Sequence, residues 1–478
     1  MREELKHGGP VGSGVRTMAV TCPSVALKTR RGLALVAVLV VMGGALLVTT
    51  SLLFVVHAEL AGCAGAAERA QTRALARSGI AVVVMQLNEQ REEILAGRTP
   101  QIDQQFVIYE TGTRTGIVRL LGVGPGGEQL VPEAGKLDLQ AADADALAAT
   151  GLIDEMLAQE IMDYRSQSLG RPYQSVAELL RVPGMSSEML YGPIEEFADP
   201  PDNPSPDDTA PRGLGDVVTV YGVEPALQRD GRLRINLNVP WSDELAARVT
   251  DQFGSDFAEA LHGIMENTTF DSDSKIFQTL NFFDMPPEEW PDFVDTFMTD
   301  ESELHYGRLD INTASHEALL SLPGLESEQA ADIVQMRENL PDDQRATIAW
   351  PAIQGIVEAD AYEQLGGLIT TRSWTYRLRL AAGELDADNP DAPLAGAIVY
   401  ELVVDLSSPR PRLAYLREIT WLRTTALIAA NTGVTDTPDT PDTTMQPQDT
   451  DAVPTDEAND AAGPDTGSRT RIGRWIAG

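Results

Sequence analysis

Hydrophobic and polar positions divide this chain into stretches of different rhythm. Residues 33–56 carry no charged side chain, and Lys28, Arg30 and Arg31 stand just before them. The run exceeds the roughly 20 residues a helix needs to cross a bilayer core. Beyond it, Leu75, Ile80, Val83 and Leu87 recur among Glu68, Arg69, Arg73 and Arg77, which predicts an amphipathic helix continuing to about Leu95. β-rich runs follow at 106–109 and 117–121, with a Gly112/Gly116 hairpin loop between them. Helical spacing then dominates until strand alternation returns at 374–380, 397–406 and 412–419. Arginine and apolar residues take turns from Tyr376 to Leu380, as on a half-exposed strand. A sheet begun near residue 106 and completed after 374 makes the helical region an insertion.

The insertion repeats itself. Gly135-Lys136-Leu137-Asp138-Leu139-Gln140, Gly231-Arg232-Leu233-Arg234-Ile235-Asn236 and Gly307-Arg308-Leu309-Asp310-Ile311-Asn312 each place a glycine and a base before an extended piece, then a helix. The following helices are expected near 141, at 241–249 and at 315–322, with Asn312 and Thr313 suited to capping the last. Two segments also share a helix, Pro-Gly, helix form, at 176–190 around Pro183-Gly184 and at 318–337 around Pro323-Gly324. Proline and glycine stop the first helix and permit a sharp reversal. Glu326 and Glu328 fall in the first turn of the next helix, where its dipole favours them.

The second segment resembles a helix-hairpin-helix motif. In nucleic-acid-binding versions, backbone N–H groups of a Pro-Gly-apolar-Gly turn hold a phosphate. Here Glu326 replaces the second glycine, and a carboxylate there repels phosphate. Composition points the same way. Net charge is −36, from 36 basic and 72 acidic residues, so nucleic acid is a poor partner for the chain.

Only Cys22 and Cys63 occur, which excludes a disulfide framework. The five histidines, at 7, 57, 262, 305 and 316, form no catalytic spacing, and no phosphate loop or dinucleotide fingerprint is present. The expectation is a non-enzyme without an assigned cofactor. Asp271 and Asp273, ahead of Asp284, Asp292 and Asp295, offer oxygen ligands of the kind calcium takes. A solvated acidic face is the stronger reading, because no EF-hand loop is present. The Pro/Asp-rich stretch at 199–211 reads as a linker, and 426–478 as a disordered acidic tail.

The apolar run admits three readings. A secretory signal would have an apolar region of roughly 7–15 residues. A plain anchor fits the length, with the basic side cytoplasmic. A prepilin-type signal would be cut after a basic residue plus glycine, leaving the helix on the mature chain; Arg31-Gly32-Leu33 fits that layout. Gly32 and Leu33 would be the processing site, after a leader from Met1 or from Met18. Most pilins carry a glutamate five residues into the mature chain, where this chain has Ala37.

With these features in order, the chain resembles the general secretion pathway protein K family, the largest minor pseudopilin of type II secretion systems. The resemblance covers Arg31 to about Arg423 and rests most on Ile311-Asn312-Thr313-Ala314 and Leu322-Pro323-Gly324. Ala37 agrees with that family, which characteristically lacks the glutamate. The long leader, the middle repeat and the acidic tail depart from it. The resemblance implies an α+β fold: a long N-terminal transmembrane helix and a pilin-like antiparallel sheet, interrupted by a large helical insertion with helix-hairpin-helix (SAM-like) units. Its parts would be a leader at 1–32, a membrane helix at 33–56, a helix with first strands at 57–135, the insertion at 136–370, last strands at 371–425 and the tail. It further implies a single-pass inner-membrane protein, N-terminus cytoplasmic and bulk periplasmic. Its partners would be prepilin peptidase and the other minor pseudopilins, at the tip of a pseudopilus exporting folded proteins. A competence-type, membrane-anchored DNA-binding protein is the alternative resemblance, through Asn312-Thr313-Ala314 and Leu322-Pro323-Gly324.

Overall fold

In a computed structural model, residues 31–112, 114–124, 126–192, 213–282, 284–386 and 394–420 are described. Most of the expected leader, the 199–211 linker and the 426–478 tail lie outside them. The chain divides into two compact bodies, 1–67 and 68–478.

Helix α1 (Arg31–Glu89) runs through the apolar segment. It is long and apolar enough to cross a membrane, and the side chains of its apolar window are not buried within the protein. The helix stops at Gln90, and α2 (Arg91–Leu95) follows as a separate turn, not as one amphipathic helix to Leu95.

The sheet uses strands from both ends of the second body. β1 (Gln105–Thr111) and β2 (Arg114–Leu121) form an antiparallel hairpin, and β3 (Leu130–Pro132) follows. The intervening region contributes β4 (Leu137–Asp138), α3 (Ala144–Ala149), α4 (Glu155–Asp163), α5 (Ser187–Tyr191), α6 (Leu214–Val217), β5 (Val218–Thr219) and β6 (Val223–Pro225). Next come β7 (Ile235–Asn236), α7 (Asp243–Phe253), α8 (Ser255–Asn267), α9 (Ser274–Phe282), α10 (Trp290–Thr296), β8 (Phe297–Met298) and β9 (Leu304–Tyr306). It ends with β10 (Leu309–Asp310), α11 (His316–Leu319), α12 (Ser327–Arg337), α13 (Trp350–Ile353), α14 (Tyr362–Leu365) and β11 (Ile369–Thr370). Then β12 (Thr375–Asp386), β13 (Ala395–Asp405) and β14 (Arg412–Glu418) return to the sheet. Its order is β1-β2-β12-β13-β14, all antiparallel, with β3 also on β12.

Alternation on β12 sorts its side chains between two environments. Tyr376, Leu378, Leu380 and Ala382 enter a core with Leu75, Ala76, Ile80, Val83 and Leu87 of α1. Fully burying each such large side chain stabilises by about 1.5–3 kcal/mol. Gly79 permits the approach: a Cβ there would lie 2.4 Å from Val118 Cγ2. The arginine face is partly exposed, as the alternation suggests, and its charges are paired. Arg377 donates from Nε to Glu133 at 2.6 Å and from Nη1 to Glu401 at 2.9 Å, and its guanidinium lies over the rings of Tyr221 and Tyr415. Burial lowers the Arg377 pKa, but the Glu133 and Glu401 carboxylates outweigh it and raise it overall.

The helical region has two cores. Leu139, Leu147, Ala158, Ile161, Leu179 and Leu190 form one. The other joins Val217 with apolar side chains from Ile235 to Ile369: Trp290 meets Phe277 and Tyr362 edge-on, at 5.6 and 5.4 Å between ring centroids.

Candidate functional site

The part of this protein with the most specific internal chemistry is the repeated unit of the helical region. Each copy opens with a two-residue strand that pairs in parallel with a returning two-residue strand. β4 pairs with β5, β7 with β8, and β10 with β11. The strand's polar residue turns its carboxyl or amide back on the main chain. Asp138 Oδ1 accepts from Gln140 N at 2.7 Å, Asn236 Oδ1 from Asn238 N at 2.8 Å, and Asp310 Oδ1 from Asn312 N at 3.0 Å. Side chains of this type close such local turns readily. A cap starts the next helix in each copy: Asp143, Ser242 and Ser315 accept from the amide three residues on.

These pairings correct the sequence alignment of the middle copy. Its strand is Ile235–Asn236, so Arg234, not Arg232, matches Lys136 and Arg308. The glycine-base pair at 231–232 lies two residues too early. The helix expected at 241–249 is α7, which begins at Asp243 and reaches Phe253.

The first and third copies correspond far more closely, at one constant offset in sequence. Gln140 Nε2 donates to Tyr173 O at 2.6 Å, and its counterpart Asn312 Nδ2 donates to Arg345 O at 2.8 Å. Arg165 Nη1 donates to Leu139 O and Ala142 O, at 2.5 and 3.3 Å. Its counterpart Arg337 Nη1 donates to Ile311 O and Ala314 O, at 3.1 and 2.6 Å. The two copies also touch reciprocally. A Cβ on Gly135 would lie 2.7 Å from Thr313 Oγ1, and one on Gly307 would lie 2.2 Å from Ala141 Cβ. Gly135 and Gly307 are counterparts, as are Ala141 and Thr313. The pair therefore packs like the two halves of an isologous dimer held in one chain.

That correspondence reassigns the hairpins. Pro323 and Gly324 (φ 74°) join α11 to α12, but α11 is a single turn, not a helix to Leu322. The counterpart in the first copy is the turn at Gly151 (φ 74°) between α3 and α4, not Pro183-Gly184. Pro183 and Gly184 (φ 89°) join a 3-10 turn, Val176–Arg181, to α5 and match the later turn at Gly355 (φ 71°). At both corresponding hairpins a carboxylate caps the second helix. Asp154 Oδ1 accepts from Leu157 N at 2.8 Å. Glu326 accepts from the backbone of Gln329, whose side chain accepts in turn from Glu326 N at 3.0 Å, a capping box. Glu326 is thus the cap rather than a first-turn residue.

The opening base of each copy is matched to buried acid. Lys136 lies beside Glu133, and burial pulls its pKa down. Glu224 faces Arg234 at 3.5 Å and Arg308 at 3.3 Å, and Arg308 also pairs with Asp273. Burial raises both Asp138 and Asp310 to about 6.

The remaining sequence-derived positions are separate from this unit. Gly32 and Leu33 lie in α1, and Ala37 is exposed on it. Asp273 has both oxygens engaged, by Arg308 and by Thr299 Oγ1 at 2.7 Å, while Asp271 is exposed. Among the described residues no group of three or more His, Cys, Asp or Glu side chains is arranged to hold a metal ion. Asp295, read as part of an acidic face, instead pairs with the buried Arg372. The chain matches no known protein family, no curated protein and no solved structure.

Proposed function

We propose that this chain is a minor pseudopilin of the type II secretion K kind, sitting at the tip of a pseudopilus and helping to start its assembly. The observation that carries the reading is the order of parts. One helix runs unbroken from an apolar, membrane-length segment into the core of an antiparallel sheet, and helical units interrupt that sheet between β3 and β12. On this reading Arg30 and Arg31 stay cytoplasmic and the second body is periplasmic. Ala37 supports a terminal position. The missing carboxylate would otherwise neutralise the N-terminal amine of a neighbouring subunit, and a subunit lacking it suits the topmost place. The role is assembly, not catalysis.

The alternative, an anchored DNA-binding protein, needs free hairpin amides. Asp154 and Glu326 occupy those amides with carboxylates in both corresponding hairpins, which weighs against phosphate binding.

Mass determination of the protein from cells with and without a prepilin peptidase tests the reading. A product beginning at Leu33 only when the peptidase is present supports it. Retention of residues before Gly32 in both strains refutes it. A gel shift at low salt, where nonspecific binding is strongest, would revive the alternative.

A further inference from the structure

A partly open pocket of about 30 Å³ lies where the middle and third repeat units meet, lined in part by Glu224, Arg229, Arg234, Asp295, Arg308 and Arg372. Its volume suits a water or one monatomic ion. Its charges do not balance. Arg372 pairs with Asp295, and Arg308 pairs with Asp273 and shares Glu224 with Arg234. Among the described residues, four guanidinium groups thus face three buried or half-buried carboxylates. His305 adds no further positive charge, since burial and the nearby Arg308 charge lower its pKa. Asp292 also acts on Arg229 but is itself exposed.

Two further observations point into the same place. The buried Nε atoms of Arg229 and Arg234 have no hydrogen-bond partner among the described residues. The Glu224 contacts, at 3.5 and 3.3 Å, are long for charge-assisted bonds, which favour about 2.7–2.9 Å. An uncompensated buried charge is among the costliest features a fold can carry. A water accepts hydrogen bonds but supplies no charge.

We propose that this cavity is a binding site for one small monovalent anion, of the size and charge of chloride, held by Arg229 and Arg234. The site neutralises the arginine excess and ties the middle repeat to the third. It is independent of the secretion reading, because it rests only on the geometry of the helical region.

Thermal unfolding of the purified full chain in detergent, in sodium chloride against sodium gluconate at equal ionic strength, tests it. The midpoint should rise saturably with chloride by a few degrees. The Arg229→Gln and Arg234→Gln chains should lose that dependence. Crystals grown in sodium bromide should show one anomalous peak in the cavity. Equal midpoints of the unaltered chain in chloride and gluconate, with only water in the cavity, would overturn the proposal whether or not either variant folds.

Discussion

Replacing Asp310 by asparagine isolates the cost of burying a carboxylate at the start of the third repeat. Asp310 is buried, and burial lifts its pKa from 3.8 to about 6. Two hydrogen bonds, from Thr313 Oγ1 at 2.8 Å and Asn312 N at 3.0 Å, and the Arg337 charge only partly counter that. A rise of about two pH units, at about 1.4 kcal/mol each, puts the penalty for the ionised form near 3 kcal/mol at pH 7 as a ceiling. The sign follows from linkage. The folded state holds this proton more tightly than the unfolded state, so its contribution is fully present below about pH 3.9 and is lost as pH rises through 6. Asparagine keeps the turn, as Asn236 does at the matching position with Asn238 N at 2.8 Å. Thr313 can rotate its hydroxyl to accept from the new amide. After the loss of charge-assisted bonds, we expect Asp310→Asn to stabilise by about 1–2 kcal/mol at pH 7. Urea titration of the full chain in detergent, followed by tryptophan fluorescence, measures this, since Trp290, Trp350 and Trp374 are all buried. The difference between variant and parent must itself grow between pH 4 and pH 7, which cancels every other titrating group. A variant less stable by more than about 1 kcal/mol at pH 7, with a pH-independent difference, would refute the reasoning.

Other consequences follow from the same geometry. Arg165→Met and Arg337→Met should each destabilise by about 2–4 kcal/mol, because each strands the carbonyls that end the opening turn of its repeat; matched losses in urea titrations would support the duplication. Gly307→Ala should cost more than about 2 kcal/mol, since φ is 77° and the new Cβ meets Ala141, whereas Gly43→Ala, with open space around it, should leave the midpoint unchanged. Glu133 has its pKa lowered by Arg377 and Lys136 against the burial that raises it. Its contribution is therefore present above pH 4.3 or so and lost as pH falls through the lower folded value. Glu133→Gln should cost about 3–5 kcal/mol at pH 7, and its difference from the parent should shrink in acid titrations.

Local patterns in the sequence determined the elements whose cause is local. A run of uncharged residues is a membrane-length helix whatever surrounds it. Alternation marked β12 to β14, and the hairpin loop marked β1 and β2. The three opening motifs were visible because a base, an apolar residue and a turn-forming polar residue recur within a few positions. Only the tertiary structure decided what these pieces meet. In the middle motif two arginines, 232 and 234, compete for one role, and strand pairing of Ile235 with Phe297 selects Arg234. Composition pairs Pro-Gly with Pro-Gly, but a turn needs only a residue that tolerates positive φ, and Gly151 fills that need without proline. Alternation places Arg377 on the half-exposed face of β12 but cannot say that Glu133 and Glu401 pair with it there. The reciprocal packing of Gly135 on Thr313 and of Gly307 on Ala141 joins residues far apart in the chain. Short-range sequence rhythm carries no term for such contacts; they arise when two folded copies of one unit bury matching surfaces against each other.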